Sequence, residues 1–260
     1  MSPARDLDGR VVLVTGASRG IGLATARAVA DAGGTPVLVA RDEDRLRKAA
    51  AEVGPSAVAL PADVSDSGSV TRLLDAVDTR LGRLDAVVNN AAVAWPHRVE
   101  DVTDAQLAAE VGTNLVGPLL VIRAALPLLR RSGGGTIVNV STESVRDPFP
   151  FLALYAATKA GLEVLTEGLA RELRGEPVRV CLLVAGRTGG GGFTAHWPAD
   201  VRREAEAAWD AQGYRARTSG TVAQPPERVA EAVLLMITQP PGSVVDHVSV
   251  RAHTGSLLPP

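Results

Sequence analysis

Tyr155 and Lys159 are the residues whose types and spacing most invite chemistry. Four positions apart on a helix, their side chains share one face, one turn apart, which sets an ammonium beside a phenol. A free phenol has a pKa of about 10 and exchanges protons poorly at neutrality. A cation held alongside favours the phenolate and brings proton exchange with a substrate oxygen into the working range. The chain has two tyrosines, Tyr155 and Tyr214, and two lysines, Lys48 and Lys159, so chance seldom yields this spacing. The competing reading is an exposed helical pair with no role, and the rest of the chain must decide between them.

The elements that must position this pair alternate. Val11 to Thr15 is a short apolar run, as for a strand covered on both faces. Further strands are expected at Pro36–Ala40, Val58–Pro61, Leu84–Val88, Thr136–Val140, Val178–Val184 and Val244–Val250. Between them lie helical stretches, including Ser65–Leu81 with Ser65 as N-cap, and Val102–Arg131, which Pro118 and Pro127 should bend or divide. Leu152–Leu173 carries Tyr155 and Lys159, and Pro226–Gln239 precedes the last strand. Seven strands alternating with helices predict an α/β fold, a Rossmann-type doubly wound parallel sheet in a single domain spanning 1–260. In such sheets ligands bind beyond the carboxyl ends of the strands, so the loops after the first, fourth, fifth and sixth strands should share one cleft.

The first of those loops reads TGASRGIG, Thr15 to Gly22, between a strand and a helix. That is the context a dinucleotide needs: Gly16 for the tight turn, Gly20 for backbone approach to the pyrophosphate, Gly22 for close helix–strand packing. The second strand ends in Ala40 followed by Arg41, with Arg19 on the same side. A cation there suits the 2'-phosphate of NADP(H), whereas NAD(H) calls for an acid. Asp42 and Glu43 are read instead as first-turn acids of the next helix. NADP(H) is therefore favoured over NAD(H).

Taken together, TGASRGIG, Asp63-Val64, NNAA from Asn89, the stretch around Asn114, TIVNVS and YAATK resemble the short-chain dehydrogenase/reductase family over nearly the whole chain. The resemblance implies hydride transfer between nicotinamide and a carbonyl or alcohol. It implies Tyr155 as general acid/base, Lys159 lowering its pKa and holding the nicotinamide ribose, and Asn114 positioning a water in a proton relay. It assigns Ser18, Arg19, Ile21 and the three glycines to the phosphates, Asp63 and Val64 to the adenine, and Asn89 and Ala91 to the adjacent ribose. It also implies a homodimer or homotetramer built through two long helices. Two departures stand out. Thr142 occupies the position of the family's substrate-orienting serine, with Ser141 as the fallback. Ala185-Gly186-Arg187-Thr188 and a run of four glycines replace the usual Pro-Gly loop, leaving Gly186 and Thr188 as the nicotinamide contacts.

The aromatics sort with this geometry. All eight lie between Trp95 and Tyr214, in segments leaving the carboxyl edge of the sheet. Trp95, Phe149, Phe151, Phe193 and Trp197 are accordingly expected to line a cleft for a bulky or ring-bearing ketone. Trp197 and Trp209 have a second reading, as fasteners of a lid spanning 186–224. The formal charge of -2 offers no footprint for nucleic acid. The first residues have no signal-peptide pattern and no apolar run of membrane-spanning length occurs, which predicts a cytoplasmic chain without a membrane partner. The single cysteine, Cys181, sits in an apolar run, and the four histidines lack metal-ligand spacing, so no metal is expected. Two other functions remain open at this point: a dinucleotide-binding regulatory or scaffold protein with weakened chemistry, and an isomerase or dehydratase using the same acid/base pair.

Overall fold

Seven parallel strands form one sheet in the order β3-β2-β1-β4-β5-β6-β7. They are β1 (Val11–Thr15), β2 (Thr35–Ala40), β3 (Val58–Pro61), β4 (Ala86–Asn89), β5 (Gly135–Thr142), β6 (Val178–Ala185) and β7 (His247–Val250). The computed structural model describes residues 6–192, 194, 196–214 and 223–252. Strands β1 and β4 pair directly, Val12 opposite Ala86 and Val14 opposite Val88, so the strand order reverses between them. A crevice opens at such a reversal, and the loops after β1 and β4 border it.

The apolar strand runs are explained by two cores, one on each face. One packs α3 (Ser67–Leu81), α5 (Gly117–Arg131) and α6 (Ala153–Glu172) against residues such as Leu13, Val39 and Ile137. The other packs α1 (Gly20–Asp31), α2 (Glu43–Val53) and α8 (Pro226–Ile237) against Val12, Val14, Val138 and Leu183. Cys181 is a buried thiol of this second core.

Local details differ from the sequence expectation in two places. The cap of α3 is Asp66, not Ser65: its carboxylate accepts from the Ser69 N–H at 2.6 Å, while Ser65 turns its hydroxyl to Asp63. In the long helical stretch, neither proline makes the break. α4 (Asp104–Val111) runs into a π turn at Gly112–Val116, where the Gly117 N–H reaches back to the Gly112 carbonyl, and α5 follows without interruption. Pro118 sits in the first turn of α5, where its missing N–H costs nothing, and Pro127 is accommodated inside the helix. A π turn inserts an extra residue and marks functional sites with unusual frequency. This one contains Asn114.

Candidate active site

The cleft lies along the carboxyl ends of β1, β4, β5 and β6 and has a volume of about 1100 Å³. At one end is the glycine turn. Gly16 has φ +67°, and a Cβ there would sit 2.9 Å from the Ala91 Cα. A Cβ on Gly22 would meet the Gly16 carbonyl oxygen at 2.4 Å and Asn90 Nδ2 at 2.8 Å. These absences let α1 begin directly behind the turn and aim its free N–H groups into the cleft, a ready site for an anion. A Cβ on Gly20 (φ +56°) would lie 2.7 Å from the Cα of Gly191, in the glycine run after β6. Ser18, Arg19 and Ile21 line this end, and Arg41, Asp42, Arg45, Asp63, Val64 and Ala91 continue the wall.

The acids beside Arg41 are committed. The Asp42 carboxylate caps α2 by accepting from the Arg45 N–H at 3.0 Å and also pairs with Arg45 Nε at 3.0 Å, while Glu43 pairs with Arg47. Partial burial pushes the Asp63 carboxyl up, but hydrogen bonds from the Ser65 side chain and backbone and the charge of Arg41 leave it below its usual value. Asn89 does not reach the cleft. It is the last residue of β4, and strand alternation turns its side chain into the sheet core, where Nδ2 donates to Asn139 Oδ1 at 2.9 Å. Its neighbour Asn90 lines the wall instead, and Nδ2 ties down the Thr15 carbonyl at 2.9 Å.

Midway along the cleft, Thr142 at the end of β5 hydrogen-bonds the Tyr155 phenol. Ser141, one residue earlier, points its hydroxyl to Glu163 at 2.6 Å, so of the two it is Thr142 that stands at the phenol. Ser144 buttresses it, with its N–H and its hydroxyl each 3.3 Å from Thr142 Oγ1. Burial pushes the Tyr155 phenol up to about 12; the Thr142 hydrogen bond opposes this and the charge of Glu110 adds to it. Lys159 lies one helical turn beyond Tyr155 on α6. The ammonium is buried and donates to the Val140 carbonyl at 2.8 Å, and burial brings Lys159 down to about 8 against the pull of Glu163. Helical spacing put the two side chains on one face, but a carbonyl at the end of β5 claims the cation.

Asn114 lies in the π turn between α4 and α5. It is fully buried, its Oδ1 accepts from the Val93 N–H at 2.9 Å, and its Nδ2 donates to the Val93 carbonyl at 2.8 Å and to Thr158 Oγ1 at 3.1 Å. It thereby clamps the loop after β4 to α6, one residue from Lys159. One turn earlier on α4, Glu110 accepts from the Trp95 N–H at 3.0 Å and holds the same loop.

Of the aromatics, Phe149 and Trp197 line the cleft, joined by Trp209. Trp197 Nε1 donates to the Ala94 carbonyl and Trp209 Nε1 to the Pro150 carbonyl, each at 2.8 Å, which fastens α7 (Ala199–Ala211) over the cleft. Tyr214 packs on Phe149 with ring centroids 5.1 Å apart. Trp95 is outside the lining and meets the His196 ring edge-on at 5.3 Å. Phe151 is outside too. Its φ of +69° turns the ring away, and the Arg98 guanidinium lies over it at 5.2 Å. Phe193 lies outside the described residues, as do parts of the 186–224 lid segment. Gly186 and Thr188 line the cleft; the Thr188 hydroxyl donates to the Gly186 carbonyl at 2.9 Å, and the buried Gln224 holds it at 3.2 Å. Neither Gln224 nor Glu110 was expected from sequence, although Glu110 is four residues before Asn114 and so shares its helix face.

A glycine turn at a strand-order reversal, with a tyrosine and a buried lysine one helical turn apart beside it, is a family-level arrangement, and residues 10–200 match the family described as short chain dehydrogenase. The chain belongs to the short-chain dehydrogenase family. This short-chain dehydrogenase is similar to an uncharacterised oxidoreductase of Staphylococcus epidermidis, 31% identical over 242 residues, which cover 93% of this chain and 96% of the relative. Among solved structures it resembles a metagenomic short-chain oxidoreductase in complex with NADP, with TM-score 0.77, 31% identity, and coverage of 96% and 99% of the two chains. It also resembles a short-chain dehydrogenase/reductase from Burkholderia phymatum in complex with NAD, with TM-score 0.76, 28% identity, and coverage of 88% and 86%. As a short-chain dehydrogenase the protein is an oxidoreductase with a Rossmann-type sheet.

Proposed function

We propose that this oxidoreductase is an NADP(H)-dependent carbonyl reductase and alcohol dehydrogenase acting on bulky or ring-bearing ketones and secondary alcohols. The observation that carries the reading is the Thr142–Tyr155 hydroxyl pair, set between a glycine-lined anion cradle and an aromatic wall in one cleft. The cradle fits a nicotinamide dinucleotide, because side chains are absent where a pyrophosphate must approach backbone. When bound, the reduced cofactor supplies the hydride. The chain's own residues do the rest. Thr142 orients the carbonyl oxygen, and Tyr155 delivers its proton to that oxygen as the carbonyl becomes an alcohol. The phenolate left behind is reprotonated from solvent. Lys159, whose ammonium donates to the Val140 carbonyl, adds positive charge near the site and would be the residue to hold the nicotinamide ribose. Asn114 and Thr158 keep the loop at Val93 registered against α6.

Two tests follow. A panel of ketones assayed by loss of reduced-nicotinamide absorbance should show cyclic and aromatic ketones turned over at higher kcat/KM than small aliphatic ones. A reversal of that order would remove the aromatic-wall assignment of Phe149, Trp197 and Trp209. For the cofactor, Arg41 lines the cleft directly after β2 while the acids next to it, Asp42 and Glu43, pair with Arg45 and Arg47, which supports recognition of a 2'-phosphate. Arg41→Ala should weaken NADPH binding about tenfold or more, the worth of a charge-assisted hydrogen bond, and leave NADH unchanged. Equal losses for both cofactors would refute NADP(H) preference. Exposed apolar side chains on the outer faces of α4, α5 and α6 (Leu107, Leu119 and Val164) support a homodimer or homotetramer joined through these helices.

A further inference from the structure

Where the loop after β6 leaves the sheet, a side chain from the far end of the 186–224 segment decides what the cleft can offer a ligand. Gln224 is buried, two residues before the start of α8. It forms an isolated parallel bridge with Thr188: its N–H donates to the Arg187 carbonyl at 3.0 Å, and its carbonyl accepts from the Gly189 N–H at 2.9 Å. The bridge joins the point where the segment departs to the point where it returns. The side chain adds two more bonds. Its Nε2 donates to the Val250 carbonyl at 2.9 Å and to Thr188 Oγ1 at 3.2 Å. Thr188 lines the cleft, and its own hydroxyl donates to the Gly186 carbonyl at 2.9 Å.

The directions of these bonds are forced. A carbonyl can only accept, so Val250 requires the nitrogen end of the Gln224 amide on its side, and the oxygen end cannot take its place. The other hydrogen of that nitrogen goes to Thr188, which must accept it. The Gly186 carbonyl also only accepts, so Thr188 must donate there. A hydroxyl has one proton and two lone pairs. The proton and one lone pair are engaged within the protein, and one lone pair is left for the cleft.

We infer that Gln224 is a positioning residue that holds the Thr188 hydroxyl as an acceptor, and so makes this end of the cleft selective for a ligand group that donates an N–H. This rests on the reading above, in which the cleft takes a nicotinamide dinucleotide with Gly186 and Thr188 at its nicotinamide end. A nicotinamide carboxamide has an N–H end and a carbonyl end. An acceptor-only hydroxyl takes the first and turns away the second, so the carboxamide is oriented by a residue that does not touch it. Without the Gln224 donor the Thr188 hydroxyl is held from one side only, by Gly186, and its free lone pair is no longer fixed on the cleft.

Equilibrium binding of NADP+, its 3-acetylpyridine analogue and 2'-phospho-ADP-ribose tests this without turnover. The analogue presents a carbonyl but no N–H, and the fragment has no nicotinamide. The wild type should bind NADP+ about three- to tenfold more tightly than the analogue, the worth of one hydrogen bond. Gln224→Met should weaken NADP+ by that same factor, bringing it level with the analogue, and leave the analogue and the fragment within about twofold of wild type. The backbone bridge does not use the side chain, and the Val250 carbonyl keeps the Gly186 N–H at 2.8 Å, so folding should survive. Thr188→Val should abolish the preference too, and Thr188→Ser, which keeps the hydroxyl, should retain it. A wild type indifferent to the analogue overturns the inference, as does a preference that survives in Q224M or in T188V. So does a Q224M protein that loses affinity for all three ligands together, the mark of a merely structural role. Selective binding in a protein that turns over no ketone or alcohol upholds the inference and overturns the redox reading; turnover with indifferent binding does the reverse. Binding of neither dinucleotide overturns both.

Discussion

Tyr155→Phe is expected to lower turnover in both directions by about 10²- to 10⁴-fold, the usual worth of a positioned acid/base, while cofactor affinity stays within about threefold. The substitution removes one hydroxyl whose partner is Thr142, and Thr142 keeps its contacts with the Ser144 N–H and hydroxyl. The ring continues to pack with Ala94, Leu152 and Trp197. Folding should therefore survive, and the loss should fall on kcat and not on KM. The measurement is steady-state kinetics alongside a fluorescence titration with the reduced cofactor. Wild-type kcat in this variant would mean that another group supplies the proton. Parallel loss of binding and activity would mean that the phenol holds ligand and not protons.

Gly22→Ala is expected to be the most damaging single-methyl change in the nucleotide half of the cleft. Its Cβ would lie 2.4 Å from the Gly16 carbonyl oxygen and 2.8 Å from Asn90 Nδ2, the atom that ties the turn through the Thr15 carbonyl. Both neighbours are held, one by backbone and one by a hydrogen bond, so α1 must move away from the turn. We expect a loss of about 100-fold or more in dinucleotide affinity and a fall in stability of about 1–3 kcal/mol, as for overpacking a close contact. Equilibrium binding and thermal unfolding measure the two effects separately. Near-wild-type affinity would show that the turn tolerates a displaced helix and that the cradle is less exacting than its spacing implies.

The fold was legible because both faces of the sheet are covered: VVLVT, PVLVA and VALP are almost wholly apolar, and each of the first six strands is followed by a glycine or polar turn and then by a helix. The glycine cradle, the Arg41 end and the Thr142–Tyr155 pair were legible for the same reason, since strand ends deliver those loops to one edge. What sequence could not carry was the last step, from position to direction. Asn89 and Asn90 are neighbours of one type, and only the pleat of β4 decides that Asn89 faces Asn139 while Asn90 faces the cleft. Phe151 has an aromatic side chain at the right place in the chain, but a left-handed backbone turn at a residue other than glycine points it elsewhere. Lys159 has the right spacing from Tyr155, yet the Val140 carbonyl claims it. Glu110 carried no sequence signal, because an acid on a helix is ordinarily exposed and only the packing of α4 buries this one.

The contact between Gly20 and Gly191 is lopsided. A side chain grown from Gly20 meets backbone at 2.7 Å and sits at φ +56°, whereas one grown from Gly191 finds, among the described residues, Gly20 alone at 4.0 Å. For anyone wishing to re-engineer the mouth of this catalyst, the glycine-rich strap is the tolerant partner and the helix start the intolerant one. Diversity introduced at 191 should give folded, loadable proteins, and the same alphabet at 20 should give few.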